Sequence, residues 1–312
     1  MTAMLARGGH QPLVFDNLST GHRAAVGTAE LIQGDLADYD LLLQTFKSRR
    51  IEAVMHFAAL IEVRESIEQP LRYYNNNLLA THSLLRAMEA AGVNKLVFSS
   101  TAAVYGSPQQ IPTPEDSPTV PINPYGETKL AAERMCHFQS LAGKLRYASL
   151  RYFNAAGAGA DRVLGEDHRP ETHLIAVAIQ AALGKRSCVQ IFGDDYPTPD
   201  GTCIRDYVHV EDLCTAHLLA LERLGQQSEL VYNLGNNHGY SVKQVLQIVR
   251  KVSGKDFKVV ASARRPGDPP VLLADAGKAA NELNWRPRYT ELGDIVQTAW
   301  KWHSRHPDGY EE

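Results

Sequence analysis

The chain has 312 residues, 44% hydrophobic and 21% charged, with 32 basic and 35 acidic residues for a net charge of -3. That is enough apolar material for one large domain or two closely joined ones, and it excludes wholesale disorder. It shows no long basic run and no apolar stretch near the ~20 residues of a membrane-spanning helix, so no nucleic-acid partner and no membrane association are expected.

The start, MTAMLARGGHQPL, lacks the apolar centre of a secretory signal. Cys136, Cys188, Cys203 and Cys214 include no CxxC pair and read as free thiols of a reducing compartment. A cytoplasmic protein is therefore expected. His168 and His173 stand in a Pro-containing loop and read as ordinary loop histidines, so no metal is expected.

Residues 12–16 (PLVFD) predict a first strand, ending in Asp16-Asn17. A carboxylate there can accept the hydroxyls of an adenosine ribose and repel a 2′-phosphate, which favours NAD over NADP. The pair equally suits a plain turn. Gly34-Asp35-Leu36 follows the apolar pair Leu31-Ile32. Asp35 can bond an adenine amino group, or it can N-cap a helix from Tyr39. Residues 51–58 (IEAVMHFA) predict the next strand, with Phe57-Ala58-Ala59 at its end. Small residues there would let a dinucleotide approach, or they are packing residues.

A helix is predicted over 78–91, then a strand at 95–100 that runs into Ser99-Ser100-Thr101. Three hydroxyls at a strand end suit a substrate or a catalytic phenol, or form a polar loop. A helix over 125–142 and a strand over 146–152 follow. Strand–helix alternation of this kind predicts an α/β fold, a Rossmann-like doubly wound parallel sheet with ligands at the carboxyl ends of its strands. The second half is broken by Pro and Gly, with helices plausible at 172–183, 210–223 and 241–252 and a strand at 230–234 that can return to the main sheet.

Tyr125-Gly126-Glu127-Thr128-Lys129 is a YxxxK pattern. On a helix it sets Lys129 beside Tyr125, where an ammonium would favour the phenolate and make Tyr125 a usable base. The pattern alone is weak; its position after Ser99-Ser100-Thr101 carries the information.

The ordered set Asp16-Asn17, Gly34-Asp35, His56 to Ala59, Ser99 to Thr101, Val104 to Gly106, Tyr125…Lys129 and Arg151 to Asn154 resembles the extended short-chain dehydrogenase/reductase superfamily. Ile191 to Gly193, Asp195 to Thr202, Arg205 to Val210, Arg264 to Asp268 and Leu283 to Pro287 narrow the resemblance to its UDP-glucose 4-epimerase family.

The resemblance implies tightly bound NAD and interconversion of UDP-glucose and UDP-galactose through a 4-keto sugar. It assigns catalysis to Tyr125, Lys129, Thr101 and Ser100. It assigns cofactor binding to Asp16, Asn17, Asp35, Leu36, Phe57, Ala58, Ala59, Asn76, Ser99, Tyr125, Lys129 and Tyr152. Substrate binding falls to Thr101, Asn154, His173, Leu174, Phe192, Arg205, Arg265, Asp268 and Leu272. It implies an NAD domain over 1–155, with 205–235 returning to it, and a UDP-sugar lobe over 156–312. It also implies a homodimer, to which Leu84, Leu85, Met88, Met135 and Phe138 would contribute.

One departure matters. The family opens with a strand and a GxxGxxG loop, and none of the 23 glycines here stands in that spacing. The expectation is a chain that starts late relative to the family, lacking the first strand and the glycine loop. Epimerisation of another UDP-sugar and a non-catalytic sugar-nucleotide-binding remnant stay open. A dehydratase does not fit, because Thr101 is followed by Ala102-Ala103 rather than by acidic residues.

Overall fold

The computed structural model describes residues 1–161, 163–265 and 267–311; Pro266, in the 264–268 motif, lies outside them. The strands in chain order are β1 (Leu13–Asp16), β2 (Glu30–Gln33), β3 (Val54–His56), β4 (Lys95–Thr101), β5 (Arg146–Tyr152), β6 (Asn154–Ala156), β7 (Val189–Phe192), β8 (Ile204–His209), β9 (Glu229–Leu234), β10 (Gly239–Ser241), β11 (Val259–Ser262) and β12 (Val271–Leu272).

β3, β4, β5 and β9 form one parallel sheet in that order. β4 and β5 are buried along nearly their whole length, as expected for inner strands covered by helices on both faces. One face carries Leu96 and Phe98 against Leu42, Phe46, Leu84, Leu85 and Met88. The other carries Val97, Leu150, Leu230 and Leu234 against Leu213, Ala216 and Ala220. β1 and β2 form a separate parallel pair, and no ladder joins β1 to β3 among the described residues. Both β1 and β3 are less buried than the inner strands.

The second lobe is built on β8, which pairs with β6, β10 and β12. β7 and β11 make a small parallel pair beside it. Its core is formed by Ile179, Val245, Val249, Ile295 and Val296.

Three sequence expectations are corrected. Of 205–235, the Val210–Arg223 helix and β9 return to the main sheet, whereas β8 pairs with β6, β10 and β12 among the described residues. The helix expected over 78–91 opens as a wider-wound turn, Tyr74–Leu79, before the α-helix Ala80–Ala91. Leu84 and Met88 are buried under the sheet and offer no subunit-facing surface, Leu85 is mostly buried but lines a surface cleft, and Phe138 is exposed. All four cysteines are free, and among the described residues no helix is long and apolar enough to cross a membrane.

Candidate active site

Strand alternation divides the three hydroxyls at the end of β4. Ser100 turns to one face and donates its hydroxyl to Glu133. Glu133 is itself buried and paired with Arg151, Nη2 to Oε2 2.6 Å. Arg151 Nη1 also donates to the Tyr105 hydroxyl at 2.9 Å, and Tyr105 donates to Asn233 Oδ1 at 2.7 Å. Ser100, expected among the catalytic groups, is thus committed to a buried network behind the site.

Ser99 and Thr101 turn the other way. Ser99 Oγ lies 2.9 Å from His217 Nε2, and His217 Nδ1 lies 2.8 Å from the Leu213 carbonyl. A carbonyl only accepts, so Nδ1 carries the proton and Ser99 donates. Burial pulls His217 down to about 4 and keeps it neutral. Thr101 Oγ1 accepts the Ala103 amide at 3.1 Å, capping the short turn Ala102–Tyr105.

Tyr125 reaches this strand end because of how its helix begins. The helix Pro124–Leu141 starts with Asn123 as N-cap, its side chain accepting the Gly126 amide at 2.9 Å, and with Pro124 in the first turn. A Cβ on Gly126 would stand 2.6 Å from the Ala103 carbonyl oxygen. Glycine therefore lets the first turn lie against the loop after β4, which brings the Tyr125 phenol under the influence of the Thr101 hydroxyl.

Lys129 and Glu133 follow at helical spacing on the same stripe. Lys129 Nζ donates to the Ser99 carbonyl at 2.8 Å and lies 4.9 Å from the centre of the Phe98 ring. Burial pulls Lys129 down to about 8, opposed by the Glu133 charge. The expected lowering of the Tyr125 phenol by Lys129 is not observed. Burial pushes the phenol above its ordinary value, Tyr152 adds to this, and the nearby Thr101 hydroxyl opposes it. The ammonium is aimed at the Ser99 carbonyl, and desolvation of the phenolate is the largest effect on Tyr125.

Asp16, Asn17, Asp35, Leu36, Phe57, Ala58, Ala59 and Ser99 of the expected cofactor residues lie at or just past the carboxyl ends of β1 to β4. Asn17 Nδ2 donates to Asp35 Oδ2 at 2.9 Å and ties the ends of β1 and β2 together. Asp16 Oδ1 accepts the Leu18 amide at 2.7 Å, and Asp35 Oδ1 accepts the Ala37 amide at 2.8 Å. The helix from Tyr39 is capped by Asp38, which accepts the Leu41 amide at 3.0 Å, so Asp35 is not its N-cap. Leu36 packs into the core below. Phe57 and Ala58 are exposed at the end of β3, and the Phe57 ring stacks on His217 at 4.8 Å. Asn76 donates to Asn77 at 3.0 Å, and Asn77 holds both the amide and the carbonyl of Leu60.

These residues fit a dinucleotide. Acceptor carboxylates stand at two adjacent strand ends, and Ala58-Ala59 leaves room for close approach. Sequence reasoning missed Glu133, Asn77 and His217. Glu133 had a signal, a charge continuing the Tyr125–Lys129 stripe into an inward-facing turn; the other two are visible only once the strands are assembled.

In the second lobe Arg205 forms an ion pair with Asp268, and its Nη1 donates to the Ile204 carbonyl at 2.9 Å. The Arg265 guanidinium lies 3.9 Å from the Phe192 ring centre. Leu272 pairs with Arg205 across β12 and β8. Asn154 Nδ2 donates to the Asp206 carbonyl at 2.8 Å, joining β6 to β8. His173 and Leu174 are placed differently. His173 Nδ1 lies 2.7 Å from Glu166 Oε1, and Leu174 packs on the second-lobe core.

Comparison with known proteins agrees with this arrangement. Residues 1–235 match the model of the NAD dependent epimerase/dehydratase family. A UDP-glucose 4-epimerase of Halalkalibacterium halodurans is 50% identical over 307 residues, covering 98% of this chain and 92% of that protein. A crystal structure of a UDP-glucose 4-epimerase superposes with a TM-score of 0.96 at 49% identity, covering 100% of this chain and 95% of the other. A Brucella ovis UDP-glucose 4-epimerase in complex with NAD superposes with a TM-score of 0.93 at 46% identity, covering 96% and 92%. With the strand-end hydroxyls, the Tyr125–Lys129 stripe and this likeness over nearly its whole length, the chain belongs to the NAD-dependent epimerase/dehydratase family.

Proposed function

We propose that the chain is a UDP-sugar 4-epimerase that interconverts UDP-glucose and UDP-galactose with NAD, the activity carried in the names of its relatives. The observation that carries the reading is Tyr125 in the first turn of a helix set against the loop after β4, with Lys129 buried one turn further along and bonded to the Ser99 carbonyl. Bound NAD supplies the reversible redox chemistry at the sugar C4.

Tyr125 takes the proton from O4 as C4 becomes a ketone, and returns it after the sugar has turned over. Thr101 orients the phenol and O4 through its hydroxyl. Lys129 is fixed by the Ser99 carbonyl beneath the site. Burial of this group limits water, which protects the ketone stage and strengthens each hydrogen bond.

Turning the sugar requires a firm hold on the nucleotide. Asn154, Arg205 and Arg265 suit the diphosphate, since planar guanidinium groups bind phosphate oxygens in pairs. Phe192 suits the uracil face and Asp268 a ribose hydroxyl. In the free chain Arg205 and Asp268 neutralise each other, so substrate must reorganise that pair. Leu272 is assigned to the sugar pocket near C2, where its bulk disfavours an N-acetyl group. The NAD domain is assigned to 1–155 with 205–235 returning to it through the Val210–Arg223 helix and β9, and the UDP-sugar lobe to 156–312. A homodimer is proposed through the helix pair Ala80–Ala91 and Pro124–Leu141. Phe138 and Leu141 are exposed on that face beside a cleft of about 470 Å³ lined by Arg86 and Met135.

The test is conversion of UDP-galactose to UDP-glucose by the purified chain with NAD, read through a UDP-glucose dehydrogenase couple. Turnover supports the reading. Absence of turnover with UDP-galactose, alongside turnover with another UDP-hexose, would move the assignment to that sugar.

A further inference from the structure

The loop before the helix Leu174–Ala182 gathers two histidines and two carboxylates far apart in role from the Tyr125 site. Glu166, His168, Glu171 and His173 each offer one ligand atom, and these atoms all lie within 4.8 Å of one another. His168 Nδ1 lies 3.2 Å from Glu166 Oε1 and 3.7 Å from Glu171 Oε2. His173 Nδ1 lies 2.7 Å from Glu166 Oε1 and 3.2 Å from Glu171 Oε1. Around a tetrahedral ion with bonds of about 2.0–2.1 Å, neighbouring ligand atoms stand about 3.3 Å apart. The observed separations bracket that edge.

A second observation points to a ligand. The side chain of Glu171 is 2% exposed. Its Oε1 is satisfied by the backbone amides of Thr172 and His173, both at 2.8 Å. Its Oε2 is buried without a hydrogen-bond partner, the nearest cationic group being His168 Nδ1 at 3.7 Å, which is already paired with Glu166. Native structures rarely leave buried acceptors unpaired, and a missing ion is one standard reason. A cavity of about 140 Å³ opens beside the cluster, bounded on its far side by His303 and His306.

We propose that Glu166, His168, Glu171 and His173 form a binding site for one divalent transition-metal ion, zinc by its donor set. Two imidazole nitrogens and two carboxylate oxygens suit zinc, and the two carboxylate charges balance a dication. The reading of His168 and His173 as ordinary loop histidines is thereby replaced.

The site's place suggests a fastening role. Thr172 donates to Glu62 at 2.7 Å, and Asp167 pairs with His22 at 3.2 Å, so the same loop is tied to the first lobe. The Tyr310 amide donates to Asp167 at 3.1 Å, which ties it to the C-terminal segment. An ion there would lock the loop that leads into the second lobe. The proposal is independent of the epimerase reading, because it rests on the loop alone.

The test is metal content and uptake by the full chain, prepared without a histidine tag. The chelator-stripped protein is titrated with zinc against a chromophoric competitor, and with magnesium as a control. Uptake of one zinc per chain, without magnesium uptake, is expected. The double variant His168→Ala/Glu171→Gln should lose affinity by about 100-fold or more. Should that variant not fold, cobalt(II) in the stripped parent chain serves instead. Intense visible bands of a tetrahedral cobalt site support the proposal, and weak octahedral bands or none overturn it. A parent chain that takes up no zinc, or a folded variant that binds it as the parent does, also overturns it.

Discussion

Lys129 donates its ammonium to the backbone carbonyl of Ser99 at 2.8 Å, across the junction between the Pro124–Leu141 helix and the central strand β4. The bond fixes the depth at which the helix lies on the sheet, and with it the place of Tyr125 one turn earlier. It also holds a charge where burial works against it, pulling Lys129 from 10.5 to about 8.

That shift has a sign. Between about pH 8 and 10.5 the unfolded cofactor-free chain still carries a proton that the folded chain has lost. The Lys129 contribution to stability therefore rises with pH across that window, by on the order of 3 kcal/mol in full, and is flat below it. Urea unfolding of the parent chain and Lys129→Met at several pH values isolates the effect. The parent minus the variant should climb through the window; parallel curves would contradict the assignment.

Tyr125 must lose its proton to act as base, and Thr101 favours the phenolate against the opposing effect of burial. Thr101→Val removes that help. The rising limb of kcat/KM against pH should move to higher pH, with kcat at neutral pH down by about 10²-fold. A profile lowered without displacement would assign Thr101 to substrate positioning alone.

Ser100 and Glu133 give a separation between structural and catalytic roles. Ser100→Ala removes one hydrogen bond to a buried carboxylate that keeps its Arg151 partner. It should cost about 1–2 kcal/mol of stability and leave kcat within about threefold. Glu133→Ala strands the Arg151 guanidinium and should cost about 3–5 kcal/mol. Thermal and urea unfolding check both values. A loss of turnover in a stably folded Ser100→Ala would return Ser100 to the catalytic group.

The proposed homodimer makes Phe138 the sensitive position, because it is 67% exposed on the Pro124–Leu141 helix. Light scattering at micromolar concentration should give twice the chain mass for the parent and a monomer for Phe138→Glu. A monomeric parent removes the proposal.

Much of this arrangement is legible in the sequence. The alternation of apolar strands and helices marks the parallel sheet, and β5 and the Val210–Arg223 helix fall where their patterns predict. Tyr125, Lys129 and Thr101 stand out by spacing and strand-end position, because helical and strand periodicities are local properties, while their roles come from the family resemblance. What escapes the sequence is non-local. Ser100 follows Ser99 in the chain, but only the assembled helix shows that it faces Glu133. His217 lies 118 positions from Ser99, and no local pattern ties the two. Arg205 and Asp268 read separately as ligand groups, and only the second lobe's geometry pairs them. The sequence spacing of Leu84, Leu85 and Met88 marks one apolar face but not what covers it; the sheet does.

The account stands on Tyr125 as the group that moves the proton at O4, and Tyr125→Phe tests it most directly. The variant keeps the ring and its packing while removing the hydroxyl. Its rate of UDP-galactose conversion with NAD should fall by about 10³-fold or more, with UDP affinity within about twofold of the parent chain. A variant that turns over at the parent rate would contradict the account.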